Sequence, residues 1–230
     1  MERILVTGAS RGIGRAVAER LAEPGREILL HGRDTNALAE VRDEVVRRGA
    51  GARVHTADLA IAEEVLGLAA AAGGGPLHAL VNNAGGAVVK PVAEISLAEW
   101  EESLAVNLTA PFLLVQALLP RLAAGGAVVN LLSIAARRPF AGWSAYCAAK
   151  AALDGFARAL REEVRPRGIR VINVYPAATR TALWDTVAGS WRRDRMLAPE
   201  EVAEAVAYAL SRPPGVLVET VEVGDISGPL

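Results

Sequence analysis

Where the first glycines fall constrains this 230-residue chain more than anything else in it. A short apolar run, Arg3 to Val6, reads as a strand and leads straight into Thr7-Gly8-Ala9-Ser10-Arg11-Gly12-Ile13-Gly14, and the pattern from Gly14 to Leu21 is helical. Glycine at such a turn lets bare backbone approach a pyrophosphate, and the helix that follows points its free N–H groups and positive dipole end at the anion. Strand, glycine turn and helix in that order predict the opening unit of a dinucleotide-binding α/β fold. The run is not a P-loop, because the terminal Lys followed by Ser or Thr is absent.

The rest of the chain repeats the alternation. Strand-like runs are expected at Glu27 to Leu30, Val54 to Thr56, Ala79 to Val81, Ala127 to Leu131, Arg170 to Val174 and Val216 to Val223. Helices are expected from about Asn36 to Arg47 and from Ser144 to Glu163, with Ser96 and Glu99 forming a capping pair and Pro199-Glu200-Glu201 opening a last helix. This order predicts a doubly wound α/β fold with a mainly parallel sheet, right-handed crossovers and helices on both faces. Residues 1–230 are read as a single domain, with Ala69 to Gly75 and Ala123 to Gly126 as surface loops.

Composition narrows the partners. The formal net charge is -1, so neither a nucleic-acid groove nor an anionic membrane surface is expected. Ser103 to Pro120 carries no charge and approaches spanning length, but Asn107, Thr109, Pro111 and Gln116 interrupt it, and it reads as a buried helix covered by the sheet and by a second subunit. The single cysteine and the start at a strand, with no signal-peptide pattern, point to the cytoplasm; no metal site is expected.

Two residues carry the chemistry. Tyr146 and Lys150 lie four apart in a helical segment, so both side chains share a face. An ammonium there favours the phenolate and brings an acid–base group toward operating pH. The chain has only two lysines, Lys90 and Lys150, so this one is not drawn from a lysine-rich surface. Ser133, just after the strand Ala127 to Leu131, can reach the same point on a βα loop. Taken alone, the pair reads better as a solvated helix lysine near a partly buried tyrosine.

Together these motifs resemble the short-chain dehydrogenase/reductase family from Val6 to at least Thr181: the TGxxxGxG turn, Asn82-Asn83-Ala84-Gly85 after the fourth strand, and Ser133 followed by Tyr146-x-x-x-Lys150 with Asn107 upstream. The resemblance implies a three-layer doubly wound Rossmann fold. It implies that Tyr146 exchanges the proton, Ser133 binds the carbonyl oxygen, Lys150 lowers the tyrosine pKa and grips the nicotinamide ribose, and the Asn107 backbone carbonyl holds a water. It assigns the dinucleotide to Gly8, Ser10, Arg11, Gly12, Ile13 and Gly14, to Asp58, Asn83, Ala84 and Gly85, and to Pro176 and Thr181. Ala177 stands where the family usually has glycine, which puts the backbone beside the nicotinamide in question if that position needs positive φ.

The resemblance further implies an oxidoreductase that moves hydride between NADP(H), or NAD(H), and a small carbonyl or secondary alcohol, working as a homodimer or homotetramer. Preference for NADP(H) is read from Gly32, where an acid would repel the extra phosphate, and from Arg33, which suits it; Asp34 is the competing candidate for a ribose-binding acid. Phe140, Trp143, Trp184 and Trp191 suggest a neutral or weakly polar small organic substrate, with the stretch after Thr181 as a lid. A noncatalytic dinucleotide-binding sensor is the other class open to such a chain.

Overall fold

The computed structural model describes residues 1–187, 191–213, 215–226 and 228. Seven strands form one parallel sheet: β1 (Glu2–Val6), β2 (Arg26–Gly32), β3 (Gly51–Thr56), β4 (Leu77–Asn82), β5 (Leu122–Leu131), β6 (Arg170–Pro176) and β7 (Thr220–Val223), in the order β3-β2-β1-β4-β5-β6-β7. The helices are α1 (Gly12–Leu21), α2 (Thr35–Arg47), α3 (Ala62–Ala71), α4 (Leu97–Leu104), α5 (Ala110–Leu118), α6 (Ser144–Val164) and α7 (Pro199–Leu210). The order reverses between β1 and β4, and the ends of those two strands open a crevice where doubly wound sheets bind their ligands.

Why the strands are nearly continuous apolar runs is visible in their parity. Ile4 and Val6 of β1 join the core under α1, α2 and α7, whereas Leu5 joins the core under α3, α5 and α6; Val128 and Val129 of β5 divide the same way. A parallel sheet covered on both faces has no solvent side on which polar residues could alternate.

Each fully buried Leu or Val contributes about 1.5–3 kcal/mol, so these two covered faces stabilise the short strands. The expected capping box is present: Ser96 Oγ accepts from the Glu99 N–H, and Glu99 reaches back to the Ser96 backbone. Helix α7 begins at Pro199 as expected.

Three sequence expectations need correction. Ala69 to Ala71 belong to α3 rather than to a loop, because the alanine run continues the helix until Gly73–Gly75. Ala123 to Gly126 lie within β5, where the register to β4 shifts between Leu77 and Ala79 to accommodate the extra residues. The last strand is shorter than Val216 to Val223, since pairing with β6 begins only at Asn173–Thr220.

The stretch Leu97–Arg121 is long and apolar enough to cross a membrane by length and composition. Here it buries Ala110, Leu114, Val115 and Leu118 in the core under α3 and α6. A π-helical turn, Ala105–Thr109, interrupts it and turns Asn107 inward, the local distortion that often marks a functional position in a helix.

Candidate active site

The glycine turn is held from beneath and from both sides. Gly8 and Gly12 have left-handed backbones, φ 66° and 57°, which only glycine adopts without strain. A side chain at Gly14 would collide with the Gly8 carbonyl and Asn83 Nδ2, and one at Gly12 would lie 3.0 Å from Thr181 Cγ2. Thr7 Oγ1 accepts from the backbone N–H groups of Asn83 (2.9 Å) and Ala84 (3.0 Å), while Asn83 Nδ2 donates to the carbonyls of Thr7 (2.8 Å) and Gly8 (3.2 Å). The ends of β1 and β4 are thus knitted into one surface. Asn83 spends its amide on this framework, and Thr181 sits beside Gly12 of the turn.

Helix α1 has no side-chain cap and no acid in its first turn. Its leading N–H groups therefore lack an internal partner, which suits an anion, and the bare glycine face leaves room for one. The residues present fit a dinucleotide pyrophosphate.

Sequence reasoning missed His31, at the end of β2. Its buried imidazole accepts from the Gly8 backbone N–H through Nδ1 (3.3 Å) and donates from Nε2 to the Ala57 carbonyl (3.1 Å). Burial holds its pKa below the ordinary 6.5. On the same side, Arg33 Nη1 lies 3.9 Å from Asp58 Oδ2, and Asp58 Oδ1 accepts from the Ala60 N–H.

Asp34 caps α2, its Oδ1 accepting from the N–H groups of Asn36 (3.0 Å) and Ala37 (3.1 Å). Any side chain at Gly32 would lie 3.2 Å from Ser10 Oγ.

Ser133, Tyr146 and Lys150 meet above the ends of β5 and β6. Ser133 Oγ accepts from the Ala135 N–H (3.1 Å), which fixes the hydroxyl on the cleft wall that Tyr146 also lines. Lys150 Nζ is buried, 5.7 Å from the Tyr146 ring centroid, and donates to the Leu131 carbonyl (2.9 Å).

Burial shifts both members of the Tyr146–Lys150 pair against their charged forms. Burial pushes the Tyr146 phenol up to about 12, although the Ser133 bond opposes it, and burial pushes Lys150 down to about 8. A lysine itself short of solvation at that distance does not overcome the desolvation of the phenolate.

Asn107 Nδ2 donates to the carbonyls of Gly86 and Ser103 (both 2.9 Å), and its buried Oδ1 has no partner. A Cβ at Gly85 would come within 2.6 Å of that oxygen and 3.5 Å of Lys150 Nζ, so Gly85 leaves space against which both groups stand.

Pro176 ends β6, and Ala177 anchors the following loop by donating its N–H to Val223 (2.8 Å). No non-glycine residue among those described has positive φ, so Ala177 occupies its place without the strain the sequence suggested. Beyond it, a cleft of about 140 Å³ is lined by Ser133, Tyr146, Phe140, Trp143, Trp184 and Trp191, among others. Residues 188–190 of the expected lid lie outside the described residues.

A further feature escaped the sequence reading. Asn82 Nδ2 donates to Asn130 (3.0 Å), Asn130 Nδ2 to Asn173 (3.1 Å), and Asn173 Nδ2 to Asp154 of α6 (2.9 Å), which also receives the Tyr175 hydroxyl (2.5 Å). This ladder crosses three adjacent strands and ties them to the helix that carries Tyr146 and Lys150.

A doubly wound parallel sheet, a glycine turn at its switch point and a Ser–Tyr–Lys group beside the neighbouring strand ends define a dinucleotide-dependent oxidoreductase. The chain belongs to the short-chain dehydrogenase family, whose model, described as short chain dehydrogenase, matches residues 2–190. It is 33% identical over 237 residues to sulfoacetaldehyde reductase 2 of Chromohalobacter salexigens, covering 96% of this chain and 92% of that one. It is 36% identical over 223 residues to D-threitol dehydrogenase of Mycolicibacterium smegmatis, covering 90% and 85%. An alcohol dehydrogenase of Thermococcus sibiricus, solved with 5-hydroxy-NADP, superposes with a TM-score of 0.91 at 29% identity over 99% of this chain and 98% of that one.

Proposed function

We propose that this oxidoreductase transfers hydride between NADP(H) and a small carbonyl compound or the corresponding secondary alcohol. The observation that carries the reading is Tyr146, sharing one cleft with Ser133 and one helical turn from buried Lys150, in a cleft that continues to the glycine turn through Ile13 and Thr181. The bound dinucleotide supplies or accepts the hydride. Ser133 orients the carbonyl oxygen, and Tyr146 gives that oxygen its proton in reduction or takes the hydroxyl proton in oxidation. Lys150 holds the ribose and supplies the positive charge, and the space beside Asn107 and Gly85 accommodates a water through which the proton is replenished.

NADP(H) is supported by the absence of an acid at Gly32, the capping duty of Asp34 and the exposed Arg33. The Thermococcus relative was solved with an NADP derivative. We further read residues 1–230 as one catalytic domain acting in the cytoplasm, and as a homodimer or homotetramer; exposed Leu97, Trp100 and Phe112 on α4 and α5 support self-association.

The reaction is tested by following NADPH at about 340 nm with a panel of ketones and aldehydes. Turnover that disappears in Tyr146→Phe, while NADPH still binds, is expected. Tight NADPH binding with no turnover on any substrate would overturn it.

A further inference from the structure

The cleft in front of Tyr146 selects its substrate by what its walls lack. Among the described residues none that lines it carries a charge, and Arg180, between Thr179 and Thr181, is exposed and does not line it. A carboxylate or sulfonate drawn into this space would lose its water without gaining a cation.

Neutral polar ligands fare little better. The Thr179 hydroxyl donates to the Ala177 carbonyl (2.9 Å), and the indole N–H groups of Trp184 and Trp191 donate to the carbonyls of Thr179 (2.9 Å) and Val187 (3.2 Å). Beyond Ser133 and Tyr146, which address the reacting oxygen, the walls offer too few free hydrogen-bonding groups for a polyol.

They offer aromatic surface instead. Trp143 lies 5.7 Å from the Tyr146 ring, 5.8 Å from Trp184 and 6.3 Å from Trp191, centroid to centroid, and Trp184 and Trp191 are 4.8 Å apart. These are the spacings of rings in contact with one another, so nothing fits between them. They make a wall and not a cage, which excludes a quaternary ammonium held among ring faces. Because Trp143 also touches Tyr146, the wall begins beside the atom that exchanges the proton.

We propose that the substrate is an uncharged aryl carbonyl compound, with its aromatic ring one or two bonds from the carbonyl carbon and packed on the Trp143–Trp184 wall. This rests on the hydride-transfer reading above. In reduction, the hydride of NADPH forms the new C–H bond, the carbonyl π pair moves to oxygen, and Tyr146 protonates that oxygen; the products are the corresponding aryl-bearing alcohol and NADP⁺, with one proton drawn from solvent.

The test is steady-state kinetics of the whole protein at saturating NADPH with acetophenone, sulfoacetaldehyde, dihydroxyacetone and propanal. We expect kcat/KM for acetophenone to exceed that for sulfoacetaldehyde and dihydroxyacetone at least 100-fold. In Trp184→Ala the ratio of acetophenone to propanal efficiency should fall at least tenfold, and Trp184→Phe should restore most of it.

Equal or higher efficiency with sulfoacetaldehyde or dihydroxyacetone in the unmodified protein would overturn the substrate class and leave hydride transfer standing. An unchanged ratio in Trp184→Ala would overturn the role of the wall. No turnover of any of the four, with NADPH bound, counts against hydride transfer itself.

Discussion

The imidazole of His31 accepts a hydrogen bond from the backbone N–H of Gly8, so a titratable side chain on β2 supports the turn that faces the dinucleotide pyrophosphate. With Nε2 bonded to the Ala57 carbonyl, this arrangement requires the neutral ring, and burial lowers its pKa accordingly. His55 and Arg33 act in the same direction, and Asp58 and the Ala57 bond oppose.

Below pH 6.5 the unfolded chain takes up a proton that the folded chain resists, so stability falls as the pH drops from 6.5 toward the lowered folded pKa. Once His31 does protonate, two donors face each other at Gly8. NADPH affinity should therefore weaken in acid, together with the urea midpoint. His31→Phe should bind NADPH roughly tenfold more weakly at neutral pH, in line with the about 1–3 kcal/mol cost of an orphaned buried donor, and should lose much of the acid dependence. A pH-independent Kd in the unmodified protein would remove this role.

Nothing in the order Leu29-Leu30-His31-Gly32 announces that contact. A lone histidine ending an apolar strand reads as a strand residue, and only the parallel pairing of β2 with β1 brings it under Gly8. The same holds for Asn82, Asn130 and Asn173: the first two end or nearly end their strands and the third lies mid-strand, but the ladder exists because the registers Asn82–Asn130 and Asn130–Asn173 are in step. What was legible was local. The glycine turn, the Ser96 cap and the Tyr146–Lys150 spacing each depend on a few consecutive residues, whereas the Trp143–Trp184 wall joins loops from opposite sides of β6 and needs the folded chain.

Lys150 ties activity to stability. Its ammonium is buried, and its pKa of about 8 means that the charge is present below that pH and lost as pH rises through it. Reduction with NADPH should accordingly show a kcat/KM that is level below about pH 8 and declines above it, because this constant reports groups of the free enzyme.

The folded state carries the cost of that cation fully below the folded value and sheds it between about 8 and the ordinary 10.5, so this group makes stability rise with pH across that window. Lys150→Met should abolish reduction yet raise stability at neutral pH by about 3 kcal/mol, read as a higher melting temperature. Destabilisation by the methionine would show that the bond to Leu131 outweighs the buried charge.

Replacing Asn130 with Leu removes the middle rung of the ladder and leaves Asn82 Nδ2 and Asn173 Oδ1 without their partners in a dry interior. Each orphaned group costs about 1–3 kcal/mol, so the variant should unfold at markedly lower urea. Because the ladder ends on Asp154, one helical turn beyond Lys150, a loss of kcat larger than the change in KM is also expected. A variant as stable as the parent would mean that the rungs relax onto other partners.

Cofactor choice turns on Arg33 and Asp34, adjacent residues with different duties. Asp34 caps α2 through two backbone bonds, and turning it toward a ribose would sacrifice a cap worth about 0.5–2 kcal/mol. Arg33 has a side chain 70% exposed and held only by a 3.9 Å pairing with Asp58. Such an exposed pair is worth about 0–1 kcal/mol, so a 2′-phosphate, which accepts short charge-assisted bonds from the planar guanidinium, should readily displace it.

NADPH should thus be used more efficiently than NADH, with the margin narrowing as salt screens the contact. Arg33→Ala should cut kcat/KM for NADPH roughly 10- to 100-fold, the scale of a lost hydrogen bond to a charged group, and leave NADH nearly unchanged. The measurement is kcat/KM for both reduced cofactors at one substrate concentration, in the parent and in Arg33→Ala. Higher efficiency with NADH in the parent would reject the preference, and an NADPH preference that survives loss of the guanidinium would reject only Arg33 as its source.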